Sequence, residues 1–291
     1  MESICIVTDS SVQFPQPAFV GRNLVKIIAL KINKNGVLLP EDHALKAVDF
    51  PLTADDSLHL QLEAPSVAEF QAIFFNLSLM YHQILGIFIS SGLSECFNNA
   101  LKAASSLRGG INIQIIDSMT TSVGLGMLVQ SAAEQSAQDG SLIDAERQTR
   151  VLIPHTYTLL CIPGITYLYY NKFIERAQAI VCEMLGLFPI FSLEDGRLTP
   201  VEKVRNHRHV IEFYQEFLDE FDSLNHIAFL QGNPSNMQEA HQIREFVQEK
   251  FSHTPFTSHP INVTLAALLG PRANALFVME TTNGNRIQLE W

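Results

Sequence analysis

Gln83-Ile-Leu-Gly-Ile-Phe-Ile-Ser90 is a nearly continuous apolar run of strand length, and the segments that follow it decide the fold. Ser94 to Ser105 reads as a helix, Ile111 to Ile116 as a second apolar strand, and Thr121 to Gln138 and Ser141 to Leu152 as two more helices. Strands apolar on both faces, alternating with helices at this spacing, predict a parallel sheet covered by helices on both sides. Upstream, Ser3-Ile-Cys-Ile-Val-Thr8 is a β-branched strand that stops at Asp9-Ser10-Ser11, and Pro15 and Pro17 suggest a helix start. Leu24 to Ile32 is another apolar run, and Asn35-Gly36 before Val37-Leu38-Leu39 reads as a hairpin turn, since both residues tolerate positive φ. Periodicity fails from Glu41 to Leu60. Ser66-Val-Ala-Glu69 then opens a helix with a capping box, running to about Met80.

Thr156 to Ile162 supplies a further strand, and beyond Pro163 the pattern changes. Leu187 to Leu193 and Arg197 to Val204 are strand-like and joined by Glu194-Asp195-Gly196, an antiparallel hairpin signal. His209 to Phe221 is an amphipathic helix, His226 to Leu230 a strand, and Ser235-Asn-Met-Gln238 caps a helix reaching Phe251. Ile261 to Leu265, Ala275 to Met279 and, after Asn283-Gly284, Arg286 to Trp291 read as strands. A parallel-sheet α/β first half and a mixed α+β second half predict two domains, residues 1–160 and 161–291.

The chain has 291 residues, 47% of them hydrophobic, and a formal charge of -11. That charge repels a phosphate backbone or an anionic membrane surface, so nucleic acid and membrane docking are disfavoured. The most apolar window, Val151 to Tyr170, is interrupted by Pro154, His155, Pro163 and Gly164, which argues against stable membrane insertion. Met1-Glu2 carries no basic run and Asp9 cuts the first apolar segment short, so no export signal is expected and the chain reads as cytoplasmic. Cys5, Cys96, Cys161 and Cys182 form no C-x-x-C pair and read as reduced thiols. The remaining puzzle is an acidic protein with apolar residues to spare.

In a parallel sheet a ligand lies beyond the carboxyl ends of the strands, facing helix N-termini. Three loops fall there: Thr8-Asp9-Ser10-Ser11, Ser90-Ser91-Gly92-Leu93-Ser94 and Asp117-Ser118-Met119-Thr120-Thr121-Ser122. They are rich in hydroxyls and contain no Lys or Arg, which suits a carboxylate or neutral oxygen group better than a triphosphate. The alternative is that these hydroxyls only cap helices and close turns. No G-x-S-x-G elbow or G-x-x-x-x-G-K-[ST] loop occurs, and Gly124-Leu125-Gly126 lacks the third glycine of a dinucleotide fingerprint and reads as a packing contact. His207-x-His209 has no acidic or Cys partner at ligand spacing, so no metal or other cofactor is expected. Asp9 could serve as a general base or as the cap of its own turn. Nucleophile, base and oxyanion donors cannot be assembled from the sequence alone.

Ile6-Val7-Thr8-Asp9-Ser10, Pro65-Ser66 before Glu69-Phe70, the loop Ser90 to Ser94, Ile116-Asp117-Ser118 with Ser122-x-Gly124-Leu125-Gly126, and Pro189 to Arg205 resemble the DegV family, in order and over nearly the whole chain. The resemblance implies a two-domain fold that encloses one long-chain fatty acid, or a similar single-headed lipid, in a tunnel between the domains. It also implies a partner, an ATP-binding fatty-acid kinase subunit to which the acyl carboxylate is presented. The ligand-binding set it implies here is Ser91, Gly92, Leu93 and Ser94 with Leu62 and Leu268, and Arg205 stands where relatives carry an arginine that faces the kinase.

The chain departs from that family at the polar end. Leu62 stands where relatives have a carboxylate-binding Thr, and Leu268-Leu269-Gly270-Pro271 replaces a His-Thr pair before Gly-Pro-Gly. Asn171-Lys172-Phe173-Ile174 replaces Gly-Gly-Arg-Ile. One reading keeps the lipid, with Ser94 and helix N–H groups holding its oxygen end and the two leucines forming an apolar neck. The alternative is a divergent paralogue whose pocket is occluded and which acts through protein contacts.

Overall fold

A computed structural model describes residues 2–39, 45–55, 59–107, 111–139 and 141–281. The first half runs β1 (Glu2–Asp9), β2 (Val25–Ile28), β3 (Lys31–Lys34), β4 (Val37–Leu38), β5 (Leu60–Glu63), α1 (Val67–Ser78), β6 (Tyr81–Phe88), α2 (Cys96–Ser106), β7 (Asn112–Asp117), α3 (Ser122–Asp139) and α4 (Leu142–Leu152). The second runs β8 (Thr156–Cys161), α5 (Thr166–Tyr170), α6 (Arg176–Met184), β9 (Phe188–Glu194), β10 (Arg197–Val204), α7 (His207–Asp219), β11 (Leu224–Gln231), α8 (Met237–Lys250), β12 (Phe256–Pro260), α9 (Val263–Leu269) and β13 (Asn274–Glu280). The expected closing strand Arg286 to Trp291 and its Asn283-Gly284 turn lie outside the described residues.

β2-β1-β6-β7 form an all-parallel sheet. Its strands are apolar on both faces because both are covered. Ile4, Ile6, Leu85 and Ile87 pack with Leu125, Val129 and Ala145 of α3 and α4. Cys5, Val7, Ile84 and Phe88 point the other way, to Phe70, Phe74, Ala100 and Ala103 of α1 and α2. The expected capping box holds: Ser66 Oγ accepts the Glu69 N–H while Glu69 returns to the Ser66 N–H.

The second sheet, in order β10-β9-β8-β13-β11-β12, is antiparallel except for the parallel pair β11 and β12. Alternation along its strands divides two cores. Leu159, Cys161, Ile227, Phe229, Leu276 and Val278 face α7 and α8. Leu160, Ala228, Leu230, Ala275, Phe277 and Met279 join the same cluster as Phe70 and Phe88, so apolar packing runs from one large sheet to the other. A small antiparallel sheet, β4-β3-β5, adds Ile32 and Leu60 to that cluster, with Leu30 just before β3. Its β3–β4 hairpin turns at Asn35 and Gly36, both at positive φ, as the sequence indicates.

Several expectations change. No helix begins at Pro15 or Pro17, where the chain makes bends before a short 3-10 turn at Arg22–Leu24. Pro17 keeps Gln16 out of the α region, which blocks a helix between the two prolines. The apolar run Leu24 to Ile32 splits into β2 and β3 in different sheets. Ile261 to Leu265 is not a strand: Asn262 Oδ1 accepts the Leu265 N–H at 2.8 Å and starts α9, while the strand lies earlier at Phe256–Pro260. The cap of α8 is Asn236 rather than Ser235.

Candidate functional site

The three hydroxyl-rich loops lie together at the carboxyl ends of the parallel strands, and each also reaches an element of the mixed-sheet half. After β1, the Asp9 carboxylate accepts the N–H of Ser11 at 2.9 Å and of Ile89 at 2.7 Å, tying the ends of β1 and β6. Burial pushes its carboxyl above the ordinary range in spite of those bonds. The geometry is that of a turn cap. Ser10 Oγ accepts the Leu30 N–H and lies 3.1 Å from Thr264 Oγ1 at the start of α9. Gln13 Nε2 donates to the Pro260 carbonyl at 2.8 Å, and Asn262 Nδ2 donates to the Ser11 carbonyl at 3.0 Å.

After β6, Ser90 Oγ donates to the Gly196 carbonyl in the β9–β10 hairpin at 2.6 Å. Gly92 is required there, since a Cβ would stand 2.3 Å from that same carbonyl oxygen. After β7, Thr120 Oγ1 and Thr158 Oγ1 of β8 are 2.9 Å apart and fully buried. Gly124 lets the first turn of α3 approach Phe277 of β13, and Gly126 lets it approach the Gln13 backbone. The glycine pair is a packing device, as its sequence context indicates.

Within the Ser90–Ser94 turn the backbone donors are engaged by the protein. Ser91 N–H meets the Asp117 carboxylate at 3.2 Å, Gly92 N–H meets Ser90 Oγ, and the N–H groups of Leu93 and Ser94 meet the Ser90 carbonyl. Ser94 Oγ accepts the Cys96 N–H at 3.3 Å, which leaves its own proton to donate. Ser91 and Ser94 are half-buried, whereas Leu93 is buried. The donors this turn can offer an oxygen group are therefore two hydroxyls, not a row of amides.

Leu62 on β5 and Leu268 on α9 meet at one side chain that the sequence reading missed. Asn171 Oδ1 accepts the Leu62 N–H at 3.0 Å. Its Nδ2 faces the carbonyls of Ala267 at 3.0 Å, Tyr167 at 3.1 Å, Leu268 at 3.2 Å and Leu60 at 3.3 Å. Asn171 is the C-cap of α5 at φ -85°, not a residue in the left-handed region, and its partners on β5 and α9 lie far along the chain, so no local signal marks it. Leu268 is buried and Leu62 half-buried. Arg205 is exposed in the bend between β10 and α7 and forms no hydrogen bond or ion pair within the described residues.

None of the four cysteines is in a disulfide among the described residues, and burial raises the thiols of Cys96, Cys161 and Cys182. Among the described residues no cluster of three His, Cys, Asp or Glu could hold a metal ion, and no helix is long and apolar enough to cross a membrane.

Comparison with known proteins places this architecture. A family model described as the uncharacterised DegV family matches residues 3–281. A DegV domain-containing protein of Caldanaerobacter subterraneus is 26% identical over 219 residues, covering 75% of this chain and 77% of its own. A fatty acid binding DegV family protein of Streptococcus agalactiae aligns with a TM-score of 0.80 at 19% identity, over 97% of this chain and 100% of its own. The Fatty Acid Kinase B3 protein of Streptococcus pneumoniae, loaded with linoleic acid, gives a TM-score of 0.80 at 17% identity, over 96% and 100% respectively.

Proposed function

The chain belongs to the DegV family, and from that premise we propose that it binds a long-chain fatty acid, or a similar single-headed lipid, between the parallel and the mixed sheet. In this reading the chain divides near residue 160 into an α/β unit and a mixed unit, with β8 contributing to the second sheet. The hydroxyls of Ser91 and Ser94 hold the oxygen end, Gly92 and Leu93 shape the turn around it, and Leu62 and Leu268 form an apolar neck.

The observation that carries the reading is the buried apolar cluster that continues from Phe70 and Phe88 through Leu93 to Leu268 and Phe277. A fatty acid needs a long apolar path with one small polar end. Burying about 16 carbons at ~0.8 kcal/mol per methylene yields on the order of 10 kcal/mol before ordering costs, so the tail dominates affinity. The solved relatives named above as fatty acid binding, or as loaded with linoleic acid, support the same ligand class. The chain is a carrier rather than an enzyme in this scheme, acts in the cytoplasm, and presents the acyl carboxylate to a separate ATP-binding kinase subunit, with the exposed Arg205 on the partner-facing side.

Mass spectrometry of an organic extract of the purified protein tests the reading. A co-purified acyl chain is expected. Absence of lipid, together with no uptake of oleate or palmitate, overturns it. Ser94→Ala is expected to weaken fatty-acid binding by about 1 kcal/mol, the order of one net hydrogen bond; unchanged affinity removes that hydroxyl from the head-group role.

A second reading has an observation of its own. The backbone donors of the Ser90–Ser94 turn are already bonded, and Asn171 engages backbone groups at both Leu62 and Leu268. A paralogue with an occluded interior that works through protein contacts would look like this, and the same extract distinguishes it.

A further inference from the structure

β5 is the outer strand of the small sheet β4-β3-β5, so one edge of its backbone has no neighbouring strand. Asn171 supplies what a strand would. Its Oδ1 takes the Leu62 N–H while its Nδ2 reaches the Leu60 carbonyl, so the carboxamide sits on the edge like one peptide group. The same amide reaches the carbonyls of Ala267 and Leu268 at the end of α9 and of Tyr167 in α5. The Ala267 and Leu268 carbonyls lie in the last turn of α9, where they have no partner within the helix, whereas the Tyr167 carbonyl also takes the Asn171 backbone N–H; the two Nδ2 protons are shared among these neighbours, so one side chain joins the end of α9 and the end of α5 to the edge of β5.

Neighbouring contacts reinforce the same line. Gln61 Nε2 donates to the Tyr170 carbonyl at 2.6 Å, and the His59 ring stacks on Tyr170 with centroids 4.5 Å apart and planes 9° from parallel. On its other side the small sheet is tied to α1 through the ion pair of Lys31 with Glu69. Ile32 and Leu60 on the sheet, with Leu30 just before β3, are part of the apolar cluster. An open surface pocket of about 310 Å³ lies beside the residues that follow Asn171, lined by Tyr169, Lys172, Phe173, Ile174, Glu175 and Gln178. Phe173 and Ile174 belong both to this pocket wall and to the packing around the apolar cluster. The latch is neutral, so opening it exposes no desolvated charge and requires only that water replace its hydrogen bonds.

We propose that Asn171 is the latch of a lid formed by the three-stranded sheet, and that its release admits a lipid chain to the apolar interior; the second part rests on the lipid reading above. Hydrogen exchange separates the two parts, because the Leu62 N–H is bonded to Asn171 itself. In full-length Asn171→Ala, the Leu62 amide is expected to exchange at least about tenfold faster while β6 is unchanged, and bound cis-parinaric acid to dissociate at least about tenfold faster. Unchanged exchange at Leu62 overturns the latch. Faster exchange with unchanged dissociation overturns its control of access. If wild-type protein takes up no cis-parinaric acid while exchange still accelerates in the variant, the latch stands and the lipid reading falls. Should Asn171→Ala fail to fold, Gln61→Ala, which loses one neighbouring bond, is expected to speed Leu62 exchange about threefold, and unchanged exchange there also overturns the latch.

Discussion

Two boundaries join the parallel-sheet half to the mixed-sheet half, and they are built on opposite plans. At the carboxyl ends of the parallel strands the contact is divided among Ser10, Gln13, Ser90 and Thr120, each making a neutral bond to a different partner: Thr264, Pro260, Gly196 and Thr158. At the small sheet, one carboxamide, that of Asn171, meets five backbone groups. A divided joint loses little with any one bond and stays shut. A concentrated joint can be released in one local event, which is what an entrance requires.

The largest effect asks whether the sheet behind both joints fails before they do. Burial and the nearby His259 push the His226 imidazole down to about 3. The folded state therefore binds fewer protons than the unfolded chain. The stability involved is fully present above the unfolded value of about 6.5 and is lost as pH falls toward 3. By about pH 4.5 the loss is about 3 kcal/mol on the order of 1.4 kcal/mol per unit. Asp9 at the divided joint works the other way, because burial raises its carboxyl and the fold takes up that proton before the unfolded chain does. Denaturant titrations from pH 7 down to about pH 4.5 should show the wild type losing more stability than His226→Gln, by about 3 kcal/mol. Equal slopes in the two proteins would place acid sensitivity elsewhere.

Next in size is the concentrated joint itself. Removing the Asn171 carboxamide leaves the Leu62 N–H and the carbonyls that shared its two Nδ2 protons without that partner, although Tyr167 keeps the Asn171 backbone N–H, and Asn171→Ala should cost about 2 to 3 kcal/mol in equilibrium unfolding. A cost no larger than that of a single hydroxyl would erase the contrast between the joints.

The two plans also differ in how well the sequence announces them. The parallel sheet was legible because its strands are apolar on both faces and its helices carry local caps at Ser66 and Ser141. The positions of the hydroxyl loops followed from strand ends. Their bonds did not, since Thr158, Gly196 and Thr264 come from elements far along the chain. In the small sheet only the Asn35-Gly36 turn was legible, and β5 and the extent of α5 were hidden more completely. β5 is four residues, Leu-Gln-Leu-Glu, and α5 is five, Thr-Tyr-Leu-Tyr-Tyr, too short for any periodicity to declare itself. They are held instead by distant contacts, among them Tyr167 Oη to the Pro51 carbonyl and Thr166 Oγ1 to the Ala54 N–H. Asn171 has partners in β5 and α9 that lie 96 to 111 residues away, so no local pattern could disclose its role.

A smaller effect tests whether the divided joint is a set of independent bonds. Thr120 and Thr158 share one hydrogen bond in a fully buried setting. Replacing either by Val strands the other hydroxyl, so each single variant should lose about 1 to 2 kcal/mol. Replacing both leaves no orphan, and the double variant should be more stable than the sum of the singles predicts by about 1 kcal/mol. Full additivity would mean that the pair is not bonded in solution.

The smallest expected effect concerns the turn that aims the latch. α5 ends with the Phe173 N–H bonded to the Leu168 carbonyl and the Lys172 N–H to the Tyr169 carbonyl, the double bond pattern of a Schellman motif. The residue such a motif places in the left-handed region is here Lys172, at φ 66°, and not a glycine. A side chain with a Cβ is disfavoured there, while glycine adds freedom to the unfolded chain, so the two terms partly cancel. Lys172→Gly should therefore stabilise the protein by roughly 0.5 kcal/mol and slow hydrogen exchange at Leu62, because a turn at ease holds Asn171 more firmly against β5. If the variant gains stability but Leu62 exchanges as before, the turn is a strain site unconnected to the latch. If it loses stability, Lys172 contributes a contact that outweighs its backbone conformation.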